Sequence, residues 1–168
     1  MMDEMLRRLR QVDGRVTDEI LSDIIEEHQP RREKMIRLYE RYKGEAPIYS
    51  RTMPDYEAVN NRLGNDFFGE IIDTKVGYFL GKPIIYQTED RKLEEAVRDF
   101  GRRNSIEDLD AETGKYAAIC GYGARLLYVD ENGEERAMNI PPWEAVFIMD
   151  RSTDEIQYAM RYYTVKVV

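Results

Sequence analysis

Few side chains in this sequence are of the kinds that do chemistry, and their spacing decides what each could do. The one histidine, His28, stands in the run EEHQPRR. A zinc site needs three or four His, Cys or carboxylate ligands, and no second His or Cys lies within ligand spacing of it. His28 therefore reads as an ordinary surface or helix-end histidine. The one cysteine, Cys120, falls on the apolar side of a helical pattern with no histidine near it in sequence. That suits a buried structural thiol better than a nucleophile. Asp73 and Lys75 lie two residues apart, and a carboxylate beside a lysine can be catalytic. An ion pair on the helix surface or between helices is the stronger reading here. Gly121-Tyr122-Gly123 is glycine-rich but follows a helical segment instead of preceding one, so no helix N-terminus waits there for a phosphate. The cluster Asp130-Glu131-Asn132-Gly133-Glu134 lacks the alternating ligands of a calcium loop and reads as a hairpin tip. There is no Walker sequence and no nucleophile elbow. The tyrosines are scattered among Arg and Glu. Base stacking could use them, but interior edges and subunit contacts explain them equally well. The residues thus predict no catalytic group, no cofactor and no metal.

The bulk numbers agree with a chain that is not built to grip nucleic acid. The net charge is −8, where a phosphate-binding surface calls for a basic stripe. With 42% hydrophobic and 35% charged residues, the chain reads as a soluble globular domain with a heavily solvated surface. At 168 residues it is one domain, or one plus a helical arm. No apolar run approaches the roughly 20 residues of a membrane span, and MMDEMLRRLRQV lacks the apolar centre of a signal peptide. A single cysteine allows no internal disulfide and points to a reducing compartment.

The central element is the stretch from Asn60 to Tyr86. Leu63, Phe67 and Ile71 repeat every four residues, as do Phe68, Ile72 and Val76, which is helical spacing with a broad apolar face. Asn65 or Asp66 can cap its start. Gly81 offers a left-handed stop, and Pro83 prevents continuation. A helix apolar over so much of its surface is expected to be buried on more than one side. Ile84-Ile85-Tyr86 reads as the strand that follows. Upstream, Thr17 or Asp18 opens a helix that Pro30 either kinks or restarts, and Gly44 closes it. Glu45 to Tyr56 is connector, with Ile48-Tyr49 extended. Downstream, Leu93, Val97 and Phe100 mark one amphipathic helix. Ser105 and Asp108 resemble a capping box for the next, with Ile106, Leu109, Thr113, Ala117 and Cys120 on its inner face. The period then changes to that of strands. Arg125–Val129 and Arg136–Ile140 flank an Asn132-Gly133 turn, and Trp143–Met149 and Glu155–Val165 follow. The prediction is an α+β fold: N-terminal helices with a central buried helix, then an antiparallel β meander.

The same stretch resembles a known family. Asn60-Asn61 followed by IIDTKVGYFLGKPI (Ile71 to Ile84) is similar to the sequence signature of tailed-bacteriophage portal proteins, the head-to-tail connectors of long-tailed phages. The residues that carry it are Asn60, Asn61, Asp73, Lys75, Tyr78, Gly81, Lys82 and Pro83. RLYERYKGEAPI, GYGARLLYVDENGE, IPPWEAVFIMD and IQYAMRYY fit the order of the segments around it. The resemblance covers the family's N-terminal part: an arm over residues 1–16, then a wing-like domain over 17–168, helical to 120 and β-rich after it. Stem, clip, channel loop and crown are expected to be absent, as in a truncated form or a prophage remnant.

The resemblance implies a structural, non-enzymatic subunit of a portal ring, typically dodecameric, at one capsid vertex. Its partners would be other copies of itself, capsid and scaffolding proteins, the terminase, which holds the ATPase, and tail-connector proteins. Double-stranded DNA would pass through without sequence-specific contact, and no membrane would be involved. The location would be the virion, with assembly in the host cytoplasm. Gly81, Lys82 and Pro83 would be architectural. The alternatives are a small nucleic-acid-modifying or hydrolytic enzyme built on Asp73 and Lys75, or an unrelated helical adaptor.

Overall fold

The computed structural model describes residues 7–9, 16–53, 60–150 and 155–165. Among the described residues, after a helical stretch at 7–9, the elements in order are α1 (Asp18–Tyr42), α2 (Phe67–Leu80), α3 (Arg91–Arg103), α4 (Ile106–Cys120), β1 (Ala124–Val129), β2 (Glu135–Ile140), β3 (Ala145–Asp150) and β4 (Glu155–Arg161). Short 3-10 turns form at Pro47–Ser50 and Pro142–Glu144. This is the α+β class expected. The chain divides into two units, one of Met1–Met35 with Pro141–Val168, the other of Ile36–Ile140. The N-terminal arm expected over 1–16 and the turn expected over 150–154 lie largely outside the described residues.

In the first unit, Thr17 caps α1 by accepting from the Ile20 N–H at 3.4 Å. The helix then runs unbroken through Pro30. Pro30 and Glu26, whose carbonyl loses its partner to the missing N–H, are both exposed, so water can satisfy it and the helix need not restart. Ile20, Ile24 and His28 fall four apart on one buried face. Ile20 and Ile24 form a core with Leu9 and Ile148, flanked by Val146, Tyr158 and Met160. The last four come from one side of the β3–β4 hairpin, where Val146 faces Met160 and Ile148 faces Tyr158. Each buried aliphatic side chain contributes about 1.5–3 kcal/mol.

The second unit is organised on α4, on which both α2 and β2 pack. Leu80 lies against Gly114, where a Cβ would collide with it, while the next-door Thr113 faces the hairpin through Asn139. Tyr116 and Ile119 of α4 are buried, Ala117 is not, so the inner face is turned from the one expected. A polar network ties the hairpin to the helix. Arg125 pairs with Asp110 at 2.7 Å and donates to Asn139 Oδ1 at 3.1 Å and Thr113 Oγ1 at 3.0 Å. Asn139 in turn donates to the Leu109 carbonyl at 2.8 Å and to Glu112 at 2.9 Å. The β1–β2 turn forms as the Asn-Gly signal predicts. Gly133 takes φ +79°, and Asp130 accepts from the Asn132 and Glu134 N–H groups.

Five expectations are corrected. The meander is two separate hairpins, β1–β2 and β3–β4; Pro141 and Pro142 remove the ladder donors that would join them, and the chain coils into a 3-10 turn instead. Ile48-Tyr49 is not extended but lies in the other 3-10 turn, with Pro47 at its start. No strand forms at Ile84–Tyr86, which stays irregular and exposed. Gly81 is right-handed, at φ −68° and ψ −7°; what ends α2 is Pro83, which disfavours helix at Lys82. Ser105 makes no capping bond and is itself left-handed at φ 48°. The tight turn there is held by Asn104, whose amide donates to the Phe100 carbonyl at 3.0 Å.

Candidate functional site

The motif from Asn60 to Tyr86 is built as a loop, a helix and an exit segment. Asn60 donates to the Arg51 carbonyl at 3.1 Å, and Arg62 donates to the Tyr49 carbonyl at 3.0 Å. Gly64 sits so close to the Tyr49 phenol that any side chain there would strike it. The loop is thus moulded onto the preceding 3-10 turn. Asp66 then caps α2, accepting from the Gly69 N–H at 3.2 Å, an interaction worth about 1 kcal/mol.

The expected ion pair of Asp73 with Lys75 is not the one the fold brings together. Asp73 accepts from the Tyr42 hydroxyl at 2.8 Å. The Lys115 ammonium lies 5.5 Å from the Tyr42 ring centroid. Burial raises the Tyr42 pKa, with the Asp73 hydrogen bond adding to it, and the hydrogen bond to Tyr42 raises that of Lys115. Tyr42 stacks on Tyr39 at 6.2 Å, and Tyr39 meets Tyr116 at 5.8 Å. The tyrosines of this unit are interior edges and a brace between α1, α2 and α4. Lys75, Asn61, Lys82 and Pro83 are exposed, and Tyr78 is 96% exposed.

The burial expected of α2 holds on one side only. Gly69 and Ile72 are buried and Val76 and Leu80 half-buried, and this is the side toward α4. Phe67 and Ile71 are 63% and 62% exposed. With Tyr78 they form a second apolar stripe roughly 165° around the helix from the first, at 100° per residue. A helix apolar on both sides calls for a neighbour on both. Phe79, Ile84, Ile85 and Tyr86 are exposed as well. Contiguous apolar patches of this kind mark interaction surfaces.

The residues singled out for other chemistry lie elsewhere. His28 is not on the surface: it is 6% exposed, and its Nδ1 is 2.7 Å from the Tyr162 hydroxyl. Burial, then Arg31 and Arg32, lowers its pKa. Sequence spacing put His28 in line with Ile20 and Ile24, and that was the signal for burial. Burial raises the Cys120 thiol to about 11, which fits an unreactive thiol. Asp130 is held below the usual carboxylate range by its bond to Arg136 and serves the hairpin turn. Among the described residues, no three His, Cys, Asp or Glu side chains converge to hold a metal ion, and no helix is long and apolar enough to cross a membrane.

Comparison with known proteins finds a family match. The model of a family described as phage portal protein, SPP1 Gp6-like, matches residues 21–168, a span that contains the whole motif. The portal protein of Bacillus phage SPP1 is 25% identical over 158 residues, covering 88% of this chain and 31% of that protein. The chain therefore spans about a third of the length of the curated relative it matches.

Proposed function

The chain belongs to the phage portal protein family, SPP1 Gp6-like, and on that premise we propose that it supplies the wing-like part of a portal ring. The observation that carries this reading is the match over residues 21–168, which includes α2 and its exit segment, the part of the sequence with the strongest resemblance. The arm over 1–16 and the wing-like domain over 17–168 are the corresponding division. The ring stands at one capsid vertex, assembled in the host cytoplasm with capsid and scaffolding proteins. It passes double-stranded DNA without reading it, and receives terminase and tail-connector proteins on its exposed ends. A net charge of −8 supports passage over retention, since a wall that neutralised phosphates would hold the duplex. The role is structural, and hydrolysis of ATP belongs to the terminase. Asn60 and Gly81–Pro83 fix the entry to and exit from α2, and Asp73 braces it through Tyr42.

Immunogold labelling of phage heads from cells that carry this gene tests the reading. Gold at a single vertex is the expected pattern. Gold spread over the shell, or particles that do not label, would refute it.

A further inference from the structure

Two features of the second unit are unmatched among the described residues. The first is Ile84-Ile85-Tyr86. Its residue types are those of a strand, yet it pairs with no strand among the described residues and its side chains are 48%, 78% and 59% exposed. The second is the outer edge of β1. On the other side of the hairpin, the edge of β2 is covered: Asn104 donates to the Glu135 carbonyl at 3.2 Å and accepts from the Ala137 N–H at 3.0 Å. Among the described residues β1 pairs with β2 alone, and its Leu127 and Val129, whose side chains stand off one face, are 66% and 65% exposed. A bare apolar strand edge is a template for another strand.

We propose that Ile84–Tyr86 of one copy adds as a strand to the outer edge of β1 of the next, head to tail. This rests on the ring reading above, which requires a second copy. The two surfaces are different, as a head-to-tail contact demands, since an interface of that kind joins unlike patches and closes into a ring. They are also complementary in kind, one a strand without a partner and the other an edge without a strand, the arrangement by which extended segments add to sheets. Size sets the strength. Tyr78 with Ile84, Ile85 and Tyr86 offers roughly 550 Å² of apolar surface, short of the roughly 800 Å² per partner of a standard interface. Association of this chain is therefore weak at micromolar concentration and rises with concentration, while ring closure adds a second contact to every copy.

The test is sedimentation equilibrium of two variants, alone and mixed. Ile85→Pro removes the strand's donor and leaves β1 intact. Leu127→Lys puts a charge on the β1 edge and leaves the segment intact. Wild type is expected to grow past dimer as concentration rises, each variant alone to lose association at least about tenfold, and the mixture to form a one-to-one dimer that grows no further. Wild type that stays monomeric to its solubility limit, variants that associate like wild type, or a mixture that behaves as its separate components would overturn the proposal. If either variant is misfolded by circular dichroism, Ile85→Cys and Leu127→Cys in a Cys120→Ser background replace them. A disulfide between the two, and none within either alone, is expected; the reverse would overturn it. Vertex labelling is independent of both outcomes, so a failed interface leaves the portal reading standing.

Discussion

Replacing Arg125 with leucine should loosen the β1–β2 hairpin from α4 more than any other single change in that unit's polar contacts. The guanidinium is 2.7 Å from the Asp110 carboxylate, and the two side chains are 23% and 14% exposed. It also bonds Asn139 and Thr113, which hold each other and the Leu109 carbonyl. Breaking a fully buried pair by removing one partner costs about 3–5 kcal/mol, mostly for the charge left behind. Partial exposure lets water reach Asp110 and lowers that figure, while the hydrogen bonds lost add to it. The expected net is about 2–4 kcal/mol, set against about 1 kcal/mol that leucine could recover by burial. In a urea titration followed by far-UV circular dichroism this is a midpoint shift on the order of 1 M. Arg125→Leu with Asp110→Leu should regain about half of the loss, since no carboxylate is then stranded. A loss below about 0.5 kcal/mol would show that the pair behaves as an ordinary surface ion pair and that the hairpin is held by something else.

Three further outcomes are expected. His28 binds a proton less readily in the folded chain than its ordinary value of 6.5, so the unfolded state takes up more protons and stability falls as pH drops through about 6.5. Thermal midpoints at pH 7.5 and 5.5, above most carboxylate titrations, should differ in wild type and much less in His28→Gln; equal drops would refute this. Gly81→Val should cost about 1–3 kcal/mol, because a Cβ there strikes the Gly77 carbonyl oxygen and backbone cannot swing aside; an unchanged denaturant midpoint would count against it. The protein should hydrolyse neither ATP nor DNA, and a reproducible activity lost in Asp73→Ala would overturn the structural reading.

What could be read in the sequence is what neighbours along the chain decide. Asp66 caps α2, Asn132-Gly133 turns the hairpin, and Gly44, left-handed at φ +81°, closes α1, each within a few residues of its effect. The misreadings needed distant partners. His28 becomes buried against Tyr162, 134 positions away. Asp73 finds Tyr42 on another helix, not Lys75 two residues on, because side chains two apart on a helix point in different directions. Arg125 reads as an ordinary strand residue until Asp110 and Asn139 are placed beside it. Ile84–Tyr86 has strand composition, but composition does not supply a partner strand. The broad apolar face of α2 was legible, whereas which half of it one copy covers was not.

The separation of the sheets into two hairpins also bears on how the protein is made. Among the described residues, no strand pairing joins residues more than 16 positions apart, the widest being Ala124 with Ile140 and Ala145 with Arg161. Closing so short a loop costs little entropy, and hairpins of this size form in about 1–10 μs. A ribosome adding about 5–20 residues per second is far slower. Each hairpin can therefore zip soon after its second strand clears the exit tunnel, without waiting for the other.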